Sequence, residues 1–283
     1  VLAPAAGDVL VGEGPCEVRE RIAWERADVA SLWTDGAPPE SLRGALASFD
    51  VALVYSASEA LARGLQKLVR DVRARVPAPQ GLHAAGWLLG LAAGLLPSST
   101  APGAPSGTPA TPSKPPAAPP AFRASAAEQA AARPFLDELP GAFLAIHAGS
   151  GSAAKNWPAE RFAQLPARLS YERHWLLIDG PADRDVSAAL QRVPGAVVAR
   201  ELKPRVLGAL LSHAGIYVGN DSGVSHLAAA FDAPTLALFG PTEPALWSPR
   251  GERVMALRAP GGTLLSLGTE DVVTAAERLR RAP

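Results

Sequence analysis

Within six residues, Asp221 to His226 of the stretch GNDSGVSHLAAAF, the chain brings together an acid, a hydroxyl, a glycine and a histidine. The apolar run GIYVGN precedes them and an alanine-rich run follows. Asp221 is therefore expected to cap a helix, with the amides of Ser222, Gly223 and Val224 left unpaired at its first turn. Such amides, at the positive end of a helix, suit a phosphate group. Gly223 has no Cβ and lets a ligand approach the backbone. His226 stands four residues beyond Ser222 on the same helix face, within reach of a diphosphate oxygen. An ordinary cap beside a core histidine uses the same residue types, and it is the combination with a second loop that favours a ligand.

That second loop is HAGSGSAAKNWP, His147 to Pro158, in which small residues follow a strand and lead to Lys155 and then to Pro158 at the start of a helix. A glycine loop with one lysine is suited to an anionic diphosphate. A P-loop would need glycine just before the lysine and Ser or Thr just after it, whereas Ala154 and Asn156 hold those places, so the Mg²⁺-binding hydroxyl is missing. Ser222 and His226 lie at one helix start without a G-x-S-x-G elbow, which argues against a serine hydrolase. The five histidines, His83, His147, His174, His213 and His226, show no paired spacing for a metal, and none is expected.

Short apolar strands must carry these loops. Expected strands are Phe143 to Gly149, His174 to Gly180, Ala196 to Ala199, Gly215 to Asn220, Pro234 to Gly240 and Arg253 to Leu257, with amphipathic helical segments between most of them. That alternation predicts a parallel sheet covered on both faces, an α/β Rossmann-like domain, whose ligands bind beyond the carboxyl ends of the strands. The unusual residues fall there: Ser150 and Gly151, Asp179 to Asp183, Asp221 to His226, and Gly240 to Thr242. Between Leu96 and Phe122 a run of Pro and small residues has neither period. Three parts are therefore expected: a first domain over 1–96, a linker over 97–121 and a second domain over 122–283.

In the first part, Phe49 to Ser58 is expected as a strand and EALARGLQKLVRDVRARV as one helix, with Arg63, Lys67 and Arg70 on one face and Arg73 and Arg75 nearby. The default for that face is solvation; the sharper reading is a basic edge for an anionic lipid or phosphorylated glycan. Gly86 to Leu96 is too short to span a bilayer and is expected as a buried helix.

Lys+Arg and Asp+Glu both number 27, so no overall charge draws the chain to nucleic acid or an anionic membrane. The single cysteine, Cys16, excludes an intramolecular disulfide. With no secretory pattern at the start, a cytoplasmic protein is expected.

The segments GNDSGVSHLAAAFDAPTLALFGPTEPALWSP and HAGSGSAAKNWPAERFAQL, with LLIDGPADRDV between them, resemble glycosyltransferase family 9, the ADP-heptose:lipopolysaccharide heptosyltransferases. The resemblance runs from Phe122 to the C-terminus. It implies a GT-B fold, two Rossmann-like domains with the N-terminal one reduced here, and a metal-independent transferase with no cofactor beyond its nucleotide-diphosphate sugar, ADP-heptose foremost. It implies that Ser150, Gly151 and Lys155 line the donor phosphates, that Asp221, Ser222, Gly223 and His226 hold the diphosphate and sugar, and that Asp183 lies near the ribose. A Gly-Asp pair in the family's first loop, whose Asp acts as base on the acceptor, corresponds to Gly7-Asp8, with Glu13, Asp28 and Asp35 as alternatives. The implied acceptor is a lipopolysaccharide-core or other surface glycan or glycolipid, with possible peripheral contact at the cytoplasmic face of the inner membrane. Two rival readings remain open: a non-catalytic nucleotide-sugar-binding relic, and an epimerase or hydrolase on the same fold.

Overall fold

The computed structural model describes residues 2–3, 22–23, 26–34, 36–76, 81–92, 122–171, 173–180 and 183–282. They fall into two compact units, one up to Ala92 and the other from Phe122. The stretch expected as a linker, 97–121, and Asp8 lie outside the described residues.

In the first unit β1 (Leu2–Ala3) pairs in parallel with β2 (Ile22–Ala23). Then come α1 (Ala27–Ala30), a 3₁₀ turn Ser31–Trp33 and α2 (Glu40–Leu46). A βαβ unit follows, formed by β3 (Val51–Tyr55), α3 (Glu59–Gln66) and β4 (Asp71–Arg75), with β3 and β4 parallel. Helix α4 (Ala84–Leu89) completes the described part, running into a 3₁₀ turn at Gly90–Ala92. Val29, Leu32, Leu42, Val54, Leu61 and Leu65 form the core of this unit.

Two expectations fail in this unit. The single helix expected from Glu59 onward stops at Gln66, and DVRAR becomes β4, in register with β3 from Val51 opposite Asp71 to Tyr55 opposite Arg75. A strand paired with its neighbour satisfies its backbone groups where a longer helix would leave β3 unpartnered, and tertiary pairing overrides helical propensity. The basic helix face is lost with it. Lys67 donates to the carbonyl of Gly36 at 3.0 Å, Arg73 pairs with Asp71 at 2.9 Å, and Arg75 donates to the carbonyl of Trp87. The expected buried helix at Gly86 to Leu96 is corrected in its described part: α4 ends at Leu89 with no buried residue, Leu89 is exposed and Leu91 in the 3₁₀ turn is buried, while 93–96 lie outside the described residues.

The second unit is built on a six-stranded, all-parallel sheet. It opens with α5 (Ala126–Glu138), whose N-cap Ser125 accepts from the Glu128 amide while the Glu128 carboxylate accepts from the Ser125 amide, a reciprocal cap. Then follow β5 (Phe143–His147), the short helices α6 (Ala159–Phe162) and α7 (Leu165–Arg168), β6 (Trp175–Asp179) and α8 (Arg184–Leu190). Next are β7 (Ala196–Arg200), α9 (Pro204–Leu211), β8 (Ala214–Asn220), α10 (Gly223–Ala230) and β9 (Thr235–Phe239). The chain closes with α11 (Pro244–Trp247), β10 (Val254–Arg258) and α12 (Thr269–Arg281).

Strand order is β10-β9-β8-β5-β6-β7, so the winding reverses between β5 and β8. The inner strands FLAIH, WLLID and TLALF are buried at every position, as parallel strands covered on both faces must be. Alternate residues feed two cores. Leu144 and Ile146 point to the face closed by α6, α7, α8 and α12, and Phe143 and Ala145 to the face closed by α5, α9 and α10. No described helix is long and apolar enough to cross a membrane.

Candidate functional site

Because the winding reverses between β5 and β8, the loops leaving their carboxyl ends diverge to opposite faces and open a crevice at that edge. On one side stands the loop after β5. Its 3₁₀ turn Ala153–Lys155 delivers Lys155, whose Nζ donates to the Asp221 carbonyl at 3.0 Å and to Asp221 Oδ2 at 3.2 Å. Ser150 braces this loop, its hydroxyl lying 2.6 Å from Asn156 Oδ1 and 2.8 Å from the Ser152 carbonyl. Gly151 is exposed, with open space where a Cβ would stand.

On the other side stands α10. Asp221, expected as its N-cap, is not the cap: Ser222 takes that position and Gly223 is the first helical residue. The reason is that the Asp221 amide still belongs to the sheet, donating to the Leu238 carbonyl at 2.9 Å, while its carboxylate accepts from Lys155 and, at 2.8 Å, from Thr242 Oγ1. The Ser222 side chain makes no capping bond. Among the described residues the amides of Ser222, Gly223 and Val224 find no protein acceptor, and a Cβ on Gly223 would meet nothing within 4 Å. His226 is exposed on the same helix.

Asn220 and Trp157 join the two sides. Asn220 Oδ1 accepts from the Trp157 amide at 3.0 Å, and its Nδ2 donates to the Ala148 carbonyl at 2.7 Å. The indole of Trp157 is fully buried, donates to the Leu267 carbonyl at 2.9 Å and meets Phe162 edge-on. One amide side chain at the end of β8 therefore fixes where the loop after β5 runs.

Beneath both loops lies a buried polar chain. His147, the last residue of β5, has Nε2 2.9 Å from Asp183 Oδ2 and Nδ1 3.2 Å from Ser222 Oγ. The Gly180 amide also donates to Asp183, at 3.1 Å. The hydrogen bond from His147 holds the Asp183 carboxyl below its usual range against the opposing effect of burial, and the hydrogen bond from the Gly180 amide adds to it. Glycines make the chain possible: a Cβ on Gly149 would fall 1.7 Å from Asp183 Oδ1, and one on Gly219 would fall 2.2 Å from the Tyr217 hydroxyl. Tyr217 in turn bonds Ser225 at 3.1 Å, and burial pushes its phenol pKa up.

The structure thus joins Lys155 to Asp221, with Ser150 and Gly151 on the loop that carries Lys155 and Ser222, Gly223 and His226 at the start of α10, and it places Asp183 beneath with its carboxylate turned to His147. His147 and Asn220 were missed as functional residues, and Thr242, in the loop Gly240 to Thr242 expected at the ligand-binding edge, had been given no role. The signal for the first two was present, since each is a polar residue at the carboxyl end of a strand otherwise made of apolar or small residues. A cavity of about 290 Å³ adjoins the Lys155 loop, lined by Ala153, Asn156, Pro241, Thr263 and Leu264 among others. Of the possible acceptor-side bases, Asp28 is held down to about 2 by hydrogen bonds from Arg26 and then Ser41, which makes it a weak base. Asp8, Glu13 and Asp35 lie outside the described residues.

A six-stranded parallel sheet wound in both directions, with unpaired amides and a lysine at its switch point, defines a doubly wound α/β protein. Residues 107–274 match the profile described as Glycosyltransferase family 9 (heptosyltransferase), and the chain belongs to that family. Lipopolysaccharide heptosyltransferase 1 of Escherichia coli (strain K12) is 28% identical over 153 residues, 52% of this chain and 48% of that one. Lipopolysaccharide heptosyltransferase 1 of Pseudomonas aeruginosa is 36% identical over 113 residues, 38% of this chain and 32% of that one. The chain thus spans about half the length, or less, of these curated relatives.

Solved structures extend the likeness in fold. A family 9 glycosyl transferase from Veillonella parvula superposes with a TM-score of 0.75 at 18% identity, covering 99% of this chain and 87% of that one. E. coli ADP-heptose lps heptosyltransferase II gives 0.70 at 22% identity, covering 99% and 88%. An E. coli heptosyltransferase solved with ADP gives 0.62 at 22% identity, covering 91% and 80%. The chain has the α/β fold of these GT-B heptosyltransferases over nearly its whole length.

Proposed function

We propose that this protein is a glycosyltransferase that moves a heptose from ADP-heptose to a hydroxyl of a lipopolysaccharide-core or related surface glycan, working without a metal. One observation carries the donor half of that reading: three unpaired amides at the start of α10 face the crevice beside Lys155. When the bond from sugar to diphosphate breaks, its electron pair goes to the diphosphate, and fixed amide dipoles with a nearby ammonium oppose the added charge at little reorganisation cost. Gly223 keeps the approach open, and the cavity next to the Lys155 loop has room for a ring of the donor beyond its phosphates. Asp183, expected near the ribose, acts from below by holding His147.

The names of the relatives support the choice of sugar and acceptor, and the E. coli structure solved with ADP supports the choice of nucleotide. A base takes the acceptor proton, and Asp8 is our candidate for it. An acceptor embedded in lipid would bring the protein to the cytoplasmic face of the inner membrane.

Incubating the protein with ADP-heptose and a core-glycan acceptor, and following ADP release, tests the reading. ADP release that requires acceptor is expected. Release without acceptor would point to a hydrolase, tight binding with no release at all to a binding relic, and the absence of binding would overturn the donor site itself.

A further inference from the structure

The buried chain Asp183–His147–Ser222 ends on the hydroxyl that caps α10, and its polarity has a consequence. Asp183 is a carboxylate acceptor, so Nε2 of His147 must carry the hydrogen that joins them over 2.9 Å. In the neutral ring that leaves Nδ1 with only a lone pair, and at 3.2 Å it accepts from the Ser222 hydroxyl. The Ser222 hydrogen is then held inward, where Nδ1 of His147 and the Tyr217 hydroxyl are the neighbours of Oγ, and it is not offered to a diphosphate in the crevice. A proton on Nδ1 reverses this. The imidazolium donates to Ser222 Oγ from one side and to Asp183 from the other, and the Ser222 hydrogen turns outward.

We propose that His147 is a positioning residue that takes up one proton when the diphosphate of a sugar nucleotide binds, so that Ser222 becomes a donor to a diphosphate oxygen. The inference rests on the donor-site reading above. The proton comes from solvent and forms an N–H bond on Nδ1; no other covalent bond changes in this step. During transfer the electron pair of the breaking sugar–oxygen bond passes to the diphosphate, and the imidazolium behind Ser222 strengthens the hydroxyl dipole facing that charge.

The surroundings favour the charged ring in the loaded site. His147 and Asp183 are both buried, 4% and 6% exposed, so their interaction is little screened by water. The other titratable and charged groups on the elements around the ring are Tyr217 on β8, Lys155 and Asp221 as an ion pair, His226 on α10, and Asp179 at the end of β6 with Arg200 of β7, 2.9 Å apart. Asp183 alone of these bonds the ring directly. The pairs Lys155–Asp221 and Arg200–Asp179 offset one another, so the arriving diphosphate supplies the negative charge that draws the proton in.

Calorimetry with ADP-, GDP- and UDP-glucose, whose doubly esterified diphosphates have no titrating proton of their own near neutrality, tests this between pH 6 and 8. Titrations in two buffers of different ionisation enthalpy give the protons taken up. Binding should take up as much as one proton, and affinity should fall with rising pH by up to tenfold per unit within the range where imidazoles titrate, roughly pH 5 to 8. In His147→Asn both effects should vanish, and in Asp183→Asn they should move to lower pH. Should His147→Asn fail to fold, Ser222→Ala leaves the buried pair intact and should bind more weakly with no dependence on pH.

Uptake that persists unchanged in His147→Asn or Ser222→Ala, as it would if His226 were its source, overturns the inference, as does binding by the unaltered protein with no proton uptake. If neither these three sugar nucleotides nor ADP-heptose binds, the donor-site reading falls first and this inference with it.

Discussion

Lys155 and Asp221 are joined twice, the ammonium lying 3.0 Å from the Asp221 carbonyl and 3.2 Å from its Oδ2, so a residue of the β5 loop is tied to the last residue before the α10 cap. The pair is partly open to solvent, with the lysine side chain 25% exposed. A bridge of that kind contributes little to stability, about 0–1 kcal/mol. Its value is positional, because it parks a cation beside the amides of Ser222, Gly223 and Val224.

Replacing Lys155 by Ala should therefore leave the melting temperature nearly unchanged and damage the reaction. Donor binding should weaken, and turnover should fall by roughly 10²–10³, the usual loss when one preorganised group facing a developing oxyanion is removed. Steady-state rates with ADP-heptose, alongside a thermal melt, check both halves. A variant with normal turnover would remove Lys155 from the site.

Asn220 predicts the opposite pattern. It gives one oxygen to the Trp157 amide and one N–H to the Ala148 carbonyl, all within the buried floor. Asn220→Ala strands both partners without water to replace the bonds, at about 1–3 kcal/mol for each. The melting temperature should drop by several degrees, and donor affinity should fall because the loop carrying Lys155 loses its anchor. Asn220→Asp should rescue the Trp157 bond and not the other.

Much of this was legible from sequence because the second unit obeys simple rules. The runs FLAI, WLLI and LALF are apolar at every position, as a parallel strand covered on both faces must be, and each expected strand of this unit overlaps one that the structure contains. Asp221, Ser222, Gly223 and Lys155 could be placed together because strand ends in such a sheet converge. The first unit gave weaker signals. RDVRARV has helical composition, and only its pairing with β3, a contact no local pattern encodes, turns it into a strand. The link from His147 to Asp183 was hidden for the same reason: 36 residues separate them, and their meeting depends on the parallel neighbours β5 and β6.

Gly149 is where that link is most easily broken. An added methyl would stand 1.7 Å from Asp183 Oδ1 and 2.2 Å from its carboxyl carbon, so either the carboxylate or the loop must move. Gly149→Ala should cost about 1–3 kcal/mol, as overpacking of a filled interior does. It should also weaken donor binding by releasing His147. A melt and a donor titration on the same preparation would show the two losses together, and a neutral result in both would refute this account of the floor.

A second pair, away from the site and buried on its arginine side, gives a pH-dependent prediction. Arg205, at the start of α9, bonds both oxygens of Glu128 and donates to the Arg123 carbonyl at 2.8 Å, tying α9 to the capped end of α5. Burial alone would push the Glu128 pKa up; the hydrogen bond and charge of Arg205, with the Ser125 amide, outweigh it and hold the carboxyl below its usual range. Because the folded value lies below the unfolded one, about 4.3, the contribution is complete above that pH and disappears as pH falls through the depressed folded value. Arg205→Met should lower stability by about 1–3 kcal/mol near neutrality, since it leaves the partly buried Glu128 carboxylate without its cation. The deficit should shrink in acid, where Glu128 becomes protonated. Urea melts of both proteins from pH 7 down to pH 3 measure it, and a deficit that stayed constant across that range would show that Arg205 acts through packing alone.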